Sequence, residues 1–117
     1  MWRQDWVNRQ YINEGKDWPQ YRTFDAGLFF LEKNWKEDNW FLQIETFDPH
    51  EPFFTQRHYQ DLYPELIRDR AAGLLDWPAY GKVTETQDLV DQCRGHYASL
   101  LSMCDARLGD VLDTMDE

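Results

Sequence analysis

Three histidines, His50, His58 and His96, and two cysteines, Cys93 and Cys104, are the side chains of this 117-residue chain best suited to acid–base, nucleophilic or metal chemistry. None has a metal-site spacing: there is no HExxH and no CxxC, so a zinc centre is not expected. Cys93 and Cys104 lie eleven residues apart in a helical pattern, which separates them by about 16 Å along the axis, too far for a disulfide. Neither has a cationic setting that would activate a thiol, and both read as small apolar residues of the interior. His58, in "RHYQDLY", reads as a surface-loop residue, and His96 as a residue flanking an apolar helical stripe or exposed beside it.

His50 is set differently. It stands in "FDPHEPFF", residues 47–54, between Pro49 and Pro52, each preceded by an acidic residue. The prolines fix two φ angles and push Asp48 and Glu51 towards extended conformations. The imidazole is thereby presented at a defined place after a strand-like segment, the end of a strand at which open α/β sheets bind ligands. Two readings follow from the residues: a stiff turn that contains a histidine, or one part of an active site. On spacing alone the turn is the better supported. Asp48, Glu51 and Asp61 could be metal ligands or an acid/base pair. They lack the regular oxygen spacing around a glycine that a calcium loop requires, and read as solvated loop charges.

Length allows a single domain with a modest core. Six Trp, six Tyr and seven Phe suit a well-packed or interface-rich domain. The net charge of −10, without a Lys/Arg cluster, argues against nucleic acid and anionic membrane surfaces as partners. No apolar run approaches the roughly 20 residues of a membrane span. The N-terminal "MWRQDWVNRQ" has no apolar signal-peptide core.

The elements that must position His50 follow from periodicity. Trp2, Trp6, Val7 and Tyr11 predict a short helix over about 2–13, broken by "NEGKDWP". Tyr21, Phe24, Leu28, Leu31 and Trp35 trace one face of a second helix, with Asp17 as its N-cap and an end near "KEDN". "WFLQIETF", 40–47, alternates and predicts a strand with Trp40, Leu42, Ile44 and Thr46 on one face. Residues 48–82 are rich in Pro and Gly and loop-like, with a short helix expected around "PELIRDRAAGLL". "DWPQY" and "DWPAY" have unrelated flanks and read as two aromatic-proline turns rather than a repeat. A long helix is expected over about 85–116, opened by a capping box of Thr84 and Gln87. Its stripe of Val90, Cys93, Tyr97, Leu101, Cys104, Leu108, Val111 and Met115 exceeds what one strand and two helices can bury.

The order "NWFLQIETFDPHEPFF", a Tyr/Pro-rich loop, then "HYASLLSMCDARLGDVLDTMDE" resembles the middle of a sulfatase catalytic domain of the alkaline-phosphatase-like superfamily. Members carry P-H-x-P-F after a strand, then a helix with the pattern met here by Tyr97, Asp105, Leu108, Gly109, Val111 and Leu112. The resemblance covers about residues 20–117. It implies an α/β fold: part of an alkaline-phosphatase-like sandwich, here mostly helical with one strand at about 40–47 and the long C-terminal helix. Residues 1–117 would be an internal, incomplete part of that single domain, with the rest of the domain as a partner. It also implies that His50 faces the sulfate of a small-molecule or carbohydrate sulfate ester and assists binding or proton transfer. Asp105 and Gly109 match helix positions without chemistry.

The departures are equally specific. Family members build a formylglycine from Cys or Ser in Cys/Ser-X-Pro-X-Arg, whereas Cys93 opens "CRGHY" and Cys104 opens "CDARL". The paired aspartates of the first strand and the downstream DHG or DNG, which hold calcium or another divalent metal, are also missing. The resemblance thus implies a sulfatase whose nucleophile and metal ligands lie outside this chain, with the chain alone inactive. A phosphonate or phosphate ester hydrolase of the same superfamily is the close alternative. A small acidic protein-interaction module is the alternative from another class.

Overall fold

Among the described residues, a proline-led helix, a long cysteine-bearing helix and three shorter helical pieces account for the regular structure. The computed structural model describes residues 2–68 and 73–117. Their order is α1 (Trp2–Arg9), a 3₁₀ turn (Gly15–Asp17), α2 (Pro19–Asn34), α3 (Arg57–Gln60) and α4 (Gln87–Asp116). Two bodies are distinguished: Met1–Thr46 with Arg107–Glu117, and Phe47–Ala106. Among the described residues no helix is long and apolar enough to cross a membrane.

In the first body, α1 carries an Asp5–Arg9 ion pair at 2.8 Å, one turn apart. The chain then tightens at the 3₁₀ turn, where the Asp17 carboxylate accepts the amides of Asn13 and Glu14 at 3.1 and 3.0 Å. That occupation removes Asp17 from the role expected of it. The N-cap of α2 is Trp18, and Pro19 occupies the first helical position, where its missing N–H costs nothing. Trp18, Gln20, Gly27 and Leu31 are buried. Gly27 matters because the Ile44 side chain lies where its Cβ would be. The Trp40 ring meets Phe30 edge-on at 5.5 Å.

Residues 40–47 are the main correction. The described residues contain helices and loops but no strand, so the expected α/β sandwich with a strand at about 40–47 is overturned. Alternation is visible in the side chains: Leu42, Ile44 and Thr46 are sheltered, while Phe41, Gln43, Glu45 and Phe47 are exposed. A strand, however, is defined by a ladder to a neighbour. Ile44 packs on Gly27 of α2 instead, and no described segment supplies the paired backbone.

In the second body, α4 buries Gln92, Gly95, His96, Ser99, Leu100 and Met103. This is not the apolar stripe expected from the sequence. Tyr97 and Leu101 of that stripe are exposed here, as are Leu108 and Met115 in the first body. The small and polar face wins because it admits neighbours. Gly95 lets Ile67 and Leu66 press against the helix backbone. Gln92 donates to the Gly73 carbonyl at 2.8 Å and accepts from the Leu75 amide at 2.9 Å. Tyr63 and Ser102 share a hydroxyl–hydroxyl hydrogen bond at 2.7 Å. The helix opens at Thr86, whose hydroxyl accepts the Leu89 amide at 3.4 Å, and not through the Thr84–Gln87 box. Of the helix expected at 64–75, residues 64–67 form turns and 69–72 lie outside the described residues.

Candidate functional site

The loop after Phe47 is fastened at several points within the second body. The His50 amide donates to the Phe47 carbonyl at 3.2 Å and closes a turn, and the Phe54 amide donates to Pro52 at 2.9 Å. The Phe53 amide reaches across to the Asp76 carbonyl at 2.6 Å. The Phe53 ring stands edge-on to Tyr97 of α4, with centroids 5.4 Å apart. Finally, the Tyr80 hydroxyl donates to the Glu51 carboxylate. Both Asp48–Pro49 and Glu51–Pro52 are cis.

On this frame the His50 side chain is 49% exposed. Its ring lies tilted against Phe47, with centroids 4.3 Å apart. Nδ1 is 2.8 Å from the Glu51 main-chain carbonyl and 3.3 Å from the Glu51 carboxylate. Nε2 has no hydrogen-bond partner among the described residues. The site therefore offers one fixed imidazole with one nitrogen engaged and the other available. A group in that state can bind an anion or pass a proton.

Of the surrounding acids, Asp48 and Glu51 are not the simply solvated charges expected of them. Burial pushes the Asp48 carboxyl above the ordinary carboxylate range. The Tyr80 hydrogen bond holds Glu51 below it, with its own amide and His50 adding to the effect. The same contact, followed by the Glu51 charge, raises the Tyr80 hydroxyl. Asp61 is exposed and lies 3.6 Å from Arg57. Asp76, whose carbonyl anchors Phe53, is buried. Tyr80 escaped the sequence reading because it is 29 residues from Glu51. Only its place in the proline-containing "DWPAY" marked that loop as ordered.

The other candidates are not gathered to His50's loop as a group. His58 is exposed on the single turn of α3 and stacks on its neighbour Tyr59 at 4.1 Å. His96 is buried, at 5% exposure, which corrects its expected flanking or exposed position. Its place on the Gln92–Ser99 face is the reason. Cys93 and Cys104 are half-buried on α4 and form no disulfide with each other. The Cys93 thiol is pushed up chiefly by burial, then by Asp76 and Glu85. Among the described residues no group of three His, Cys, Asp or Glu side chains could hold a metal ion. This donor set does not fit a divalent metal or an activated cysteine-derived nucleophile. No family model, curated protein or solved structure matches the chain.

Proposed function

We propose that the chain is the central part of a sulfatase, a sulfuric ester hydrolase, and that His50 is its contribution to the site that meets the sulfate group. The observation that carries this reading is the fixed, half-exposed imidazole within the quoted P-H-x-P-F, because anion recognition needs a donor that is both accessible and oriented. The order of that segment and the Tyr97–Leu112 helix supports it. His50 would hold a sulfate oxygen or transfer a proton near the leaving oxygen through Nε2. The calcium or other divalent metal and the formylglycine nucleophile of such an enzyme would come from the rest of the catalytic polypeptide.

Exposed apolar side chains accord with a part that has further neighbours: Trp35 is 68% exposed and Phe41 84%. The same surface would serve the interaction-module reading. That reading requires cooperative folding as a monomer and no ester hydrolysis in the longer polypeptide.

The test is sulfate-ester hydrolysis by the polypeptide that carries residues 1–117 in full, with the phosphate and phosphonate esters assayed beside it. His50→Ala is expected to lower sulfatase turnover by about 10²–10⁴, the usual contribution of a positioned acid or base, with the melting temperature little changed. Unchanged turnover would return His50 to a purely structural role. Faster hydrolysis of the phosphorus esters would favour the sister activity.

A further inference from the structure

The two acceptors around Nδ1 have a chemical consequence. A main-chain carbonyl and a carboxylate can only accept, so Nδ1 must carry the hydrogen that lies between them. In the neutral ring this leaves the lone pair on Nε2, and in the charged ring it leaves Nε2–H as the outward donor. The Glu51 side chain is itself held. Its fractional exposure is 13%, against 49% for the His50 side chain, and it accepts the Tyr80 hydroxyl. Tyr80 approaches from a loop that also supplies the Asp76 carbonyl to Phe53. A chain of contacts thus runs Tyr80 hydroxyl, Glu51 carboxylate, His50 Nδ1, with Nε2 at its free end.

We propose that Glu51 and Tyr80 are positioning residues for His50: the Glu51 carbonyl and carboxylate select the Nδ1–H tautomer, and Tyr80 fixes the carboxylate that does so. This rests on the proposed role of His50 for its catalytic meaning, but the tautomer stands on geometry alone. Tyr80 contributes through one atom. Its ring is 88% exposed, so loss of the hydroxyl removes the contact while leaving the packing intact. Glu51→Gln keeps an acceptor for Tyr80 and removes the charge facing Nδ1.

The experiment uses the polypeptide carrying residues 1–117 in full, as wild type, Tyr80→Phe, Glu51→Gln, His50→Ala and Tyr80→Phe/His50→Ala. Two readouts are taken: kinetics on an aryl sulfate, and nitrogen resonances of ¹⁵N-histidine-labelled protein, with His50→Ala assigning the His50 signals. Tyr80→Phe is expected to lower kcat about tenfold with KM nearly unchanged, as for a misoriented catalytic group. In the His50→Ala background the same change should cost nothing further, a non-additivity that a merely structural tyrosine would not show. Neutral His50 should carry its proton on Nδ1, and that population should fall in both single variants. An Nε2–H tautomer in the wild type, or an unchanged tautomer ratio in both variants, overturns the proposal. Equal kinetic losses with and without His50 also overturn it. If the wild type hydrolyses no sulfate ester, the functional reading fails, and the tautomer ratios alone support or overturn the positioning role.

Discussion

Gly95 and Gly109 lie on the same helix, and alanine at each should move stability in opposite directions. A β-carbon at Gly95 would stand 2.5 Å from Ile67 Cγ1, 3.0 Å from Leu66 Cβ and 3.2 Å from Ile67 Cδ1. Ile67 is buried at 5% exposure, and a Cβ belongs to the backbone frame, so neither neighbour can rotate away cheaply. Such overpacking costs about 1–3 kcal/mol, against a gain of about 1 kcal/mol for replacing a mid-helix glycine. The net expected at Gly95→Ala is a loss of about 0–2 kcal/mol. At Gly109 nothing lies within 4 Å of the added carbon, so only the gain remains. The two variants should differ by about 1–3 kcal/mol, which at this size is several degrees in Tm. Denaturant unfolding followed by far-ultraviolet dichroism measures both. If Gly95→Ala stabilises as much as Gly109→Ala, Leu66 and Ile67 do not press on α4 as described.

Other perturbations probe the loops that hold the site. Asp48→Asn should stabilise the protein at pH 7 and not at pH 3. The native carboxyl titrates above the ordinary value of 3.8, so the folded state binds more protons and stability falls as pH rises through that window; a constant difference between the two proteins at both pH values would refute this. Gln92→Ala should cost roughly 1–3 kcal/mol, since it strips one donor and one acceptor from the Gly73 and Leu75 backbone. Its clearest sign would be faster amide exchange at Leu75. Tyr63→Phe should cost about 1 kcal/mol through the Ser102 contact, and adding Ser102→Ala should cost little more.

The two long helices were legible because their signals are local. Steps of three and four located α2 and α4, but the start of α2 was misplaced: Asp17 was expected as its cap, where Trp18 stands with Pro19 at the first helical position. The buried face of α4 was not legible, because hydrophobicity ranks Leu101 and Tyr97 above Gly95 and Ser99. What decided burial was steric access to the backbone at Gly95, together with the Ser99 hydroxyl satisfied on the Gly95 carbonyl at 2.6 Å. His96 went inside with that face. For residues 40–47 the alternation was readable, but a ladder depends on a second segment that no local pattern specifies. Glu51 and Tyr80 illustrate the same limit at the site: each residue type was visible, but their meeting was not.

The three histidines separate on two requirements that a reacting imidazole must meet together, access and orientation. His96 is buried among the packed face of α4, so an anionic group would have to displace that packing to reach it. His58 is accessible, but among the described residues its ring contact is with adjacent Tyr59, on a helix of one turn. A ring held by a single neighbour lacks the advantage of a fixed geometry. His50 is half-exposed, yet its ring is bounded by Phe47 on one side and by Glu51 at Nδ1. The loop that carries it is tied to Asp76, Tyr80 and Tyr97. Asp76 and Tyr80 belong to one loop of the second body and Tyr97 to α4. Losing one tie would loosen His50 without unfolding the body, so the proposed activity should fail before stability does.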